Sequence, residues 1–326
     1  MSLTSELKDT ASPIRQFLLQ RFPNHRAVVN ECKAALKDSE TITPAGPIAY
    51  GTTGEALDYR IRFYFGITPA KELVAYHGAA QVHPDSLGLP LPGAPQRPTL
   101  PAELIDHFFT DLDRQLRTIR PVGRRLGAQL ESRLNRYCYV LALFEELYRT
   151  RQSQLGSPLL VPTPMRSLPD MLEIPTSAAL DDLCALSWAF HDTCHDLIRG
   201  ARKIVLNPKI EGSGEVGGAD ADLILDGCLL EIKALINPIR DSARFRETLH
   251  QLLGYVLLDY GDHYKIRDVG IYLARQRVLL RWPLKALMMT MAGLPIAALA
   301  DLRMDFREVA ERLPFERKGG AATTSI

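Results

Sequence analysis

The sequence feature that most constrains the fold is a predicted β-hairpin with Asp226-Gly227 at its turn. A run of three apolar residues lies on each side of this dipeptide. Asp-Gly between two short β-prone runs is a strong hairpin signal, because a type I′ turn requires positive φ at both central residues. The turn pairs Leu225 with Cys228, and the register of both strands follows from that pair.

Extension of this register brings charged side chains together at the open end of the hairpin. Asp222 is opposite Glu231, and the two-residue period of a strand puts Lys233 on the same face as Glu231. Asp220 is opposite Lys233 on that face. Carboxylates grouped with a lysine at the end of an otherwise apolar hairpin indicate a metal site.

Composition indicates a globular protein with a weak overall electric field. A chain of 326 residues can hold one large domain or two ordinary ones. Its apolar fraction of 46% and charged fraction of 24% are those of soluble domains. Because the formal net charge is only +1, attraction to a polyanion must come from local basic patches.

Cysteine usage and hydropathy predict a cytoplasmic protein with no membrane segment. The five cysteines are scattered and form no Cys-x-x-Cys pair, which argues against disulfides, a cysteine-ligated zinc site and an iron–sulfur cluster. The N-terminus is too polar for a signal peptide. The most apolar run, Ala286 to Ala300, is interrupted by Gly293 and Pro295 and is shorter than the ~20 residues that span a membrane.

Hydrophobic periodicity divides the chain into helical and mixed segments. The segment from residue 203 onward shows strand, hairpin, helix, strand, strand, which is typical of an α/β unit, whereas the segment 101–199 is helical. Proline-rich loops are predicted at 84–101 and 157–175. Helices are predicted at 4–38 with a break near Pro23, and at 51–65, 101–120, 126–149, 177–199, 243–260 and 283–313, and strands at 203–206, 269–274 and 278–282.

Two motifs in the mixed segment resemble those of a nuclease superfamily. Asp222, followed after eight residues by Glu231-Ile232-Lys233, resembles the signature of the PD-(D/E)xK nucleases. Gln251 and Tyr255, which start eighteen residues after the lysine, are similar to the Gln-x-x-x-Tyr motif of the RecB-type exonuclease branch. The match covers about residues 203–282, and the cysteine quartet that holds an iron–sulfur cluster in some relatives is absent.

The resemblance implies an α/β fold with a restriction-endonuclease-like core, in which helices flank a mixed central sheet, and a large all-helical insertion. The implied divisions are N-terminal helices at 1–83, which include a candidate first helix of the core, and the helical insertion at 84–200. The nuclease core with C-terminal helices follows at 201–316, and we expect a disordered tail at 317–326. The insertion is a candidate surface for a protein partner.

Phosphodiester hydrolysis needs a hard cation that polarises the phosphate and lowers the pKa of an attacking water. Asp222 and Glu231 supply the oxygen ligands that Mg²⁺ prefers, Mn²⁺ is an alternative ion, and the backbone carbonyl of Ile232 is a candidate third ligand. Lys233 can orient or help to deprotonate the water. The resemblance implies that Gln251 contacts the water shell of the metal or the phosphate, and that Tyr255 contacts DNA.

Glu55 has two open interpretations. An upstream helix that follows a glycine supplies a metal ligand in RecB-type relatives, and Gly51-Thr-Thr-Gly-Glu55 resembles that position. Thr52 and Glu55 also have the spacing of a capping box, in which Glu55 would bond only a free backbone N–H.

Basic residues and a histidine pair are further candidates. Arg275, Arg277 and Arg60 are candidate contacts to DNA phosphates. His191 and His195 are four residues apart on a predicted helix, so they could bind zinc or be ordinary packing residues.

The sequence therefore predicts a metal-dependent deoxyribonuclease. The alternative is a catalytically silent nucleic-acid-binding or scaffold protein that retains the nuclease fold.

Overall fold

The computed structural model describes residues 2–82, 100–150, 157–160, 167–293, 295 and 298–320. Contacts divide the chain into two compact units. The helical unit is Ile42–His195, and the α/β unit joins Met1–Thr41 to Asp196–Ile326. The boundary between His195 and Asp196 lies within one helix, Ser177–Gly200.

In the described part of the chain, nine α-helices precede the first strand, and the five strands all lie after residue 203. The helices are α1 (Leu3–Lys8), α2 (Pro13–Arg21), α3 (His25–Ala35), α4 (Tyr50–Phe65), α5 (Val74–Gln81), α6 (Ala102–Ile119), α7 (Ala128–Thr150), α8 (Leu168–Leu172), α9 (Ser177–Gly200), α10 (Ser242–Leu258), α11 (Leu284–Ala292) and α12 (Leu299–Gly320). The strands are β1 (Ile204–Leu206), β2 (Leu223–Leu225), β3 (Cys228–Lys233), β4 (Asp268–Leu273) and β5 (Val278–Pro283).

Most predicted elements appear within a few residues of their expected bounds, but the predicted helical segment 4–38 is divided into three helices, and α5 was not predicted. The predicted loop at 157–175 contains α8, because Ser167 and Asp170 form a reciprocal capping box at its start. Helix α12 extends to Gly320, so the expected disordered tail begins inside a helix and its remainder, 321–326, lies outside the described residues. Residues 84–99 of the predicted proline-rich loop also lie outside the described residues.

The sheet of the α/β unit is mixed, with strand order β1-β2-β3-β4-β5. Neighbouring strands are antiparallel except β3 and β4, which are parallel and are connected through α10. The predicted hairpin is present: Leu225 pairs with Cys228, and Asp226 and Gly227 have φ of 46° and 81°. A Cβ on Gly227 would also lie 2.7 Å from the carbonyl oxygen of Lys265, so both backbone conformation and space favour glycine there.

Helices flank the sheet, and α10 is buried along most of its length. Its apolar side chains share one core with residues of α1, α2 and α3 and with α11 and α12. This shared core is why residues 1–41 belong to the α/β unit. The division into two units also differs from the predicted one, because α4, the candidate first helix of the nuclease core, belongs to the helical unit.

The helical unit packs around α7, which contacts both α4 and α5. Gly78 of α5 lies directly against the backbone of α7, where an added Cβ would be 1.7 Å from the carbonyl oxygen of Phe144. The rings of Phe108, Phe109 and Phe144 pack against one another between α6 and α7. Among the described helices, none combines the length and the apolar character needed to cross a membrane.

Candidate active site

The open end of the hairpin brings the predicted acids together. Asp222 directly precedes β2, and Glu231 lies in the antiparallel neighbour β3, so both occur at the same edge of the sheet. Oδ2 of Asp222 accepts a hydrogen bond from the backbone N–H of Ile232 at 2.6 Å. Glu231 is only 4% exposed. A carboxylate this buried requires compensating charge or hydrogen bonds.

Lys233 supplies that compensation. Its Nζ donates to Oε1 of Glu231 at 2.6 Å and to Oε1 of Gln251 at 3.3 Å. Burial by itself lowers the pKa of Lys233, but the negative charges of Glu231 and Asp222 outweigh it, and the pKa is raised above its ordinary value. Lys233 is therefore a protonated donor beside the acids.

Gln251 and Tyr255 lie one turn apart on α10 and bond to each other. Nε2 of Gln251 donates to the hydroxyl of Tyr255 at 2.7 Å, and that hydroxyl donates to the backbone carbonyl of Asp220 at 2.8 Å. Tyr255 is 2% exposed, and burial together with the charges of Glu231 and Asp222 raises its pKa well above the ordinary value. A phenol so buried cannot make the predicted contact with DNA, and instead it holds Gln251 in place.

Sequence reasoning missed Thr4. Nε2 of Gln251 also donates to Oγ1 of Thr4 in α1, at 3.2 Å. The backbone N–H of Leu3 donates to the carbonyl of Gly218 at 2.7 Å, which places the start of α1 beside the loop that leads to Asp222. No local pattern reveals this contact, because Thr4 and Gln251 are 247 residues apart in the sequence.

The donors at this edge suit a hard cation. Asp222 and Glu231 offer carboxylate oxygens, and Mg²⁺ is usually held by one or two carboxylates with water and substrate oxygens completing its shell. Across the part of the chain that the structure describes, no three His, Cys, Asp or Glu side chains are grouped so as to hold a metal. An ion held by Asp222 and Glu231 would take the rest of its shell from water and substrate oxygens. The carbonyl of Ile232 remains a predicted third ligand.

Glu55 is not part of a capping box. Helix α4 begins at Tyr50, its N-cap is Ala49, and no side chain caps it. Thr52 and Glu55 therefore lie inside the first turns of the helix. The capping interpretation is wrong because the N-cap is Ala49, three residues before the Thr52 that the box requires.

Glu55 belongs to a group of charges in the helical unit. It lines a cavity of about 440 Å³ with Arg149, whose guanidinium is 3.9 Å from Oε1 of Glu55. Burial and the nearby carboxylates of Glu145 and Asp58 raise the pKa of Glu55 to about 8. All the charges that set its pKa lie in the helical unit, so these contacts do not support its predicted role as a metal ligand.

Two of the three candidate DNA-binding arginines are buried. Arg60 forms two hydrogen bonds with Glu131, at 2.6 and 3.0 Å, inside the helical unit. Arg275 is 0% exposed and its Nε donates to the carbonyl of Ala234 at 2.9 Å. These two predictions are wrong, since neither guanidinium reaches the surface. Arg277 is exposed and remains a candidate.

Arg275 and its neighbour Gln276 have a structural role near the site. Nε2 of Gln276 donates to the carbonyls of Leu235 and Ile236, at 3.1 and 2.8 Å. Together with the bond from Arg275 to Ala234, these contacts hold the chain directly after Lys233. They position the end of β3 that carries the candidate catalytic residues.

The histidine pair packs within the helical unit. The rings of His191 and His195 are 4.9 Å apart, and Nδ1 of His191 is 2.8 Å from the hydroxyl of Tyr64. No third ligand joins them among the described residues. These contacts favour the packing interpretation over a zinc site.

Comparison of the chain with protein-family models, with curated proteins and with solved structures finds no match. The case for a function therefore rests on the geometry of the site.

Proposed function

We propose that the chain is a metal-dependent nuclease that hydrolyses phosphodiester bonds of DNA with a site of the PD-(D/E)xK type. The observation that supports it most is the meeting of Asp222, Glu231 and Lys233 at one sheet edge, with Gln251 bonded to the lysine. A solvated pair on an edge strand would leave these side chains exposed and unconnected, whereas here Glu231 is buried and accepts from Lys233, and Asp222 accepts from the backbone N–H of Ile232. The parallel connection from β3 through α10 to β4 is consistent with a restriction-endonuclease-like core.

In this proposal Asp222 and Glu231 would hold a Mg²⁺ or Mn²⁺ ion, whose chemistry there would be to polarise the scissile phosphate and to lower the pKa of an attacking water. The hydrogen bond from the backbone of Ile232 orients the carboxylate of Asp222. Lys233 stays protonated and donates to the water or to a phosphate oxygen, which offsets the negative charge that develops there. Gln251, fixed by Thr4 and Tyr255, keeps the ammonium group of Lys233 aimed at this position.

The proposed setting is the cytoplasm. The five cysteines are all buried free thiols, which suits a reducing compartment. We also propose the helical segment 84–200 as the surface for a protein partner.

The test is a cleavage assay on linear duplex, circular and single-stranded DNA with Mg²⁺ or Mn²⁺. We expect wild-type protein to cleave at least one of these substrates and chelation of the metal to stop it. Lys233→Ala removes the donor to the attacking water, so cleavage should fall by about 10²- to 10⁴-fold. Asp222→Asn keeps the oxygen that accepts from Ile232 but removes a charge needed for the metal, and should have a similar effect.

The matched control is Lys203→Ala, which removes an exposed lysine at the opposite, turn end of the same sheet. It should cleave at the wild-type rate, and thermal melting should show that all variants are folded. Equal cleavage by wild type and Lys233→Ala would contradict the proposed mechanism. DNA binding without cleavage of any substrate would favour the silent binding protein.

A further inference from the structure

One face of α10 carries polar side chains from the buried network to the surface. Arg244, Thr248, Gln251 and Tyr255 are spaced four, three and four residues apart, which places them along one side of the helix. Gln251 and Tyr255 form the buried end of this row. Arg244, in the first turn, is exposed.

Arg244 lies close to the candidate active site. It precedes Gln251 by seven residues, about two helical turns, on the same face of α10, and Gln251 bonds to Lys233. The backbone N–H of Arg244 donates to Oδ1 of Asp241, the N-cap residue of α10, at 3.3 Å, which fixes the residue in the first helical turn. Within the described ranges, no carboxylate forms an ion pair with its guanidinium. Elsewhere in the α/β unit, Arg281 pairs with Asp268 and Arg303 pairs with Asp262.

The guanidinium of Arg244 is exposed, lies beside a site for phosphate chemistry and has no acid to neutralise it. It is therefore suited to binding an anion. Arginine binds phosphate oxygens through planar, charge-assisted hydrogen bonds, which are stronger than neutral ones. The N-terminus of α10 is already capped by Asp241, so the guanidinium is the group on this turn that can bind phosphate.

We propose that Arg244 forms a second phosphate subsite, which binds a backbone phosphate of the substrate strand next to the phosphate that is cleaved. The proposal rests on the proposed nuclease function and goes further, because it assigns a residue and a direction to substrate binding. The strand runs from the metal-binding acids toward the first turn of α10. Arg244 contacts the substrate and does not take part in bond cleavage.

The test measures binding of labelled DNA by fluorescence anisotropy over a range of salt concentrations, together with cleavage kinetics. Arg244→Ala should weaken binding by roughly tenfold and reduce the slope of log affinity against log salt by about 1, since one phosphate contact is lost. The loss in kcat/KM should appear mainly in KM. Arg244→Lys should restore part of the affinity, because it keeps the charge but loses the planar geometry.

The matched control is Arg246→Ala. Arg246 is on the same helix, two residues along, so it projects about 200° away from Arg244 around the helix axis. It should bind and cleave like wild type, and melting curves should show that both variants are folded.

The outcomes separate this inference from the proposed function. If wild type cleaves DNA and Arg244→Ala binds and cleaves as Arg246→Ala does, the subsite is refuted and the nuclease stands. If binding depends on Arg244 but no metal-dependent cleavage occurs, the nuclease is refuted and the phosphate contact stands. If wild type does not bind DNA, both are overturned.

Discussion

Lys233 lies within hydrogen-bonding distance of Glu231 and Gln251, and this position determines what its side chain can do. Alternation along one strand predicted that Lys233 lies on the same face as Glu231, because the two residues are two positions apart. The bond to Gln251 crosses from a strand to a helix, and the sequence did not predict it. Residues close in sequence were therefore placed correctly by local geometry.

Arginines were harder to assign from sequence because burial, not residue type, decides their role. Arg60 looks like a surface cation on a helix, but Glu131, seventy-one residues away, pairs with it in the interior. Breaking a buried pair is costly, so such a residue serves the fold. Arg277 has the same side chain and is exposed.

Glu55 leads to a prediction about stability and pH. Its pKa is raised in the folded protein from an ordinary 4.5 to about 8, so the folded state holds a proton that the unfolded state releases over this range. The contribution of this group to the free energy of unfolding is fully present below about pH 4.5, and it is lost as the pH rises through about 8. The Glu55→Gln variant has no ionisable carboxyl at this position, so it does not lose this contribution. Its melting temperature should therefore exceed that of wild type by an amount that grows as the pH rises from 5 to about 8.5.

The control for this experiment is Glu146→Gln, which removes an exposed carboxylate from the wall of the same cavity. Its melting temperature should follow that of wild type across the range. A constant difference between Glu55→Gln and wild type at every pH would contradict the prediction.

At the scale of elements, the hairpin depends on neighbouring residues, whereas the α5–α7 contact depends on residues far apart in the sequence. The hairpin is encoded locally, because Asp226-Gly227 specifies the turn and the turn specifies the register. The approach of α5 to α7 depends on Gly78. The sequence did not predict this role, because the residues around a helical glycine do not show which element packs against it.

Gly78→Ala should destabilise the helical unit by at least about 2 kcal/mol. The added methyl would overlap the carbonyl oxygen of Phe144, and the helices would have to move apart to accommodate it. Gly51→Ala in α4 is the matched control, since its methyl would meet no atom within 4 Å. It should be neutral or stabilising by up to about 1 kcal/mol, because alanine favours the helix. Denaturant unfolding followed by circular dichroism measures both, and equal effects would refute the close packing.

At the scale of the whole molecule, the chain leaves the α/β unit after Thr41 and returns to it at Asp196. Among the residues that the structure describes, the core of the α/β unit draws on both of these segments and on no residue of the helical unit. The members of the site network, from Thr4 to Tyr255, all belong to the α/β unit. The helical unit is continuous in sequence and contains its own buried aromatic cluster.

Residues 42–195 expressed alone should therefore fold. We expect a strongly helical circular dichroism spectrum and a single cooperative melting transition, because the fragment keeps its internal contacts. It should also keep the pH dependence that Glu55 produces, since Glu145, Asp58 and Arg149 are within it. A fragment without cooperative melting would show that the unit depends on the rest of the chain.

The sequence by itself determined the features that arise from neighbouring residues: the hairpin and its register, the positions of most helices and strands, and the meeting of Asp222, Glu231 and Lys233. These follow from turn geometry and from the periods of strands and helices, which act over a few residues. The tertiary structure alone decided that α1 joins the α/β unit, that Thr4 holds Gln251, and that Arg60, Arg275 and Tyr255 are buried. These depend on which apolar faces pack together, and that choice is made by side chains far apart in the chain.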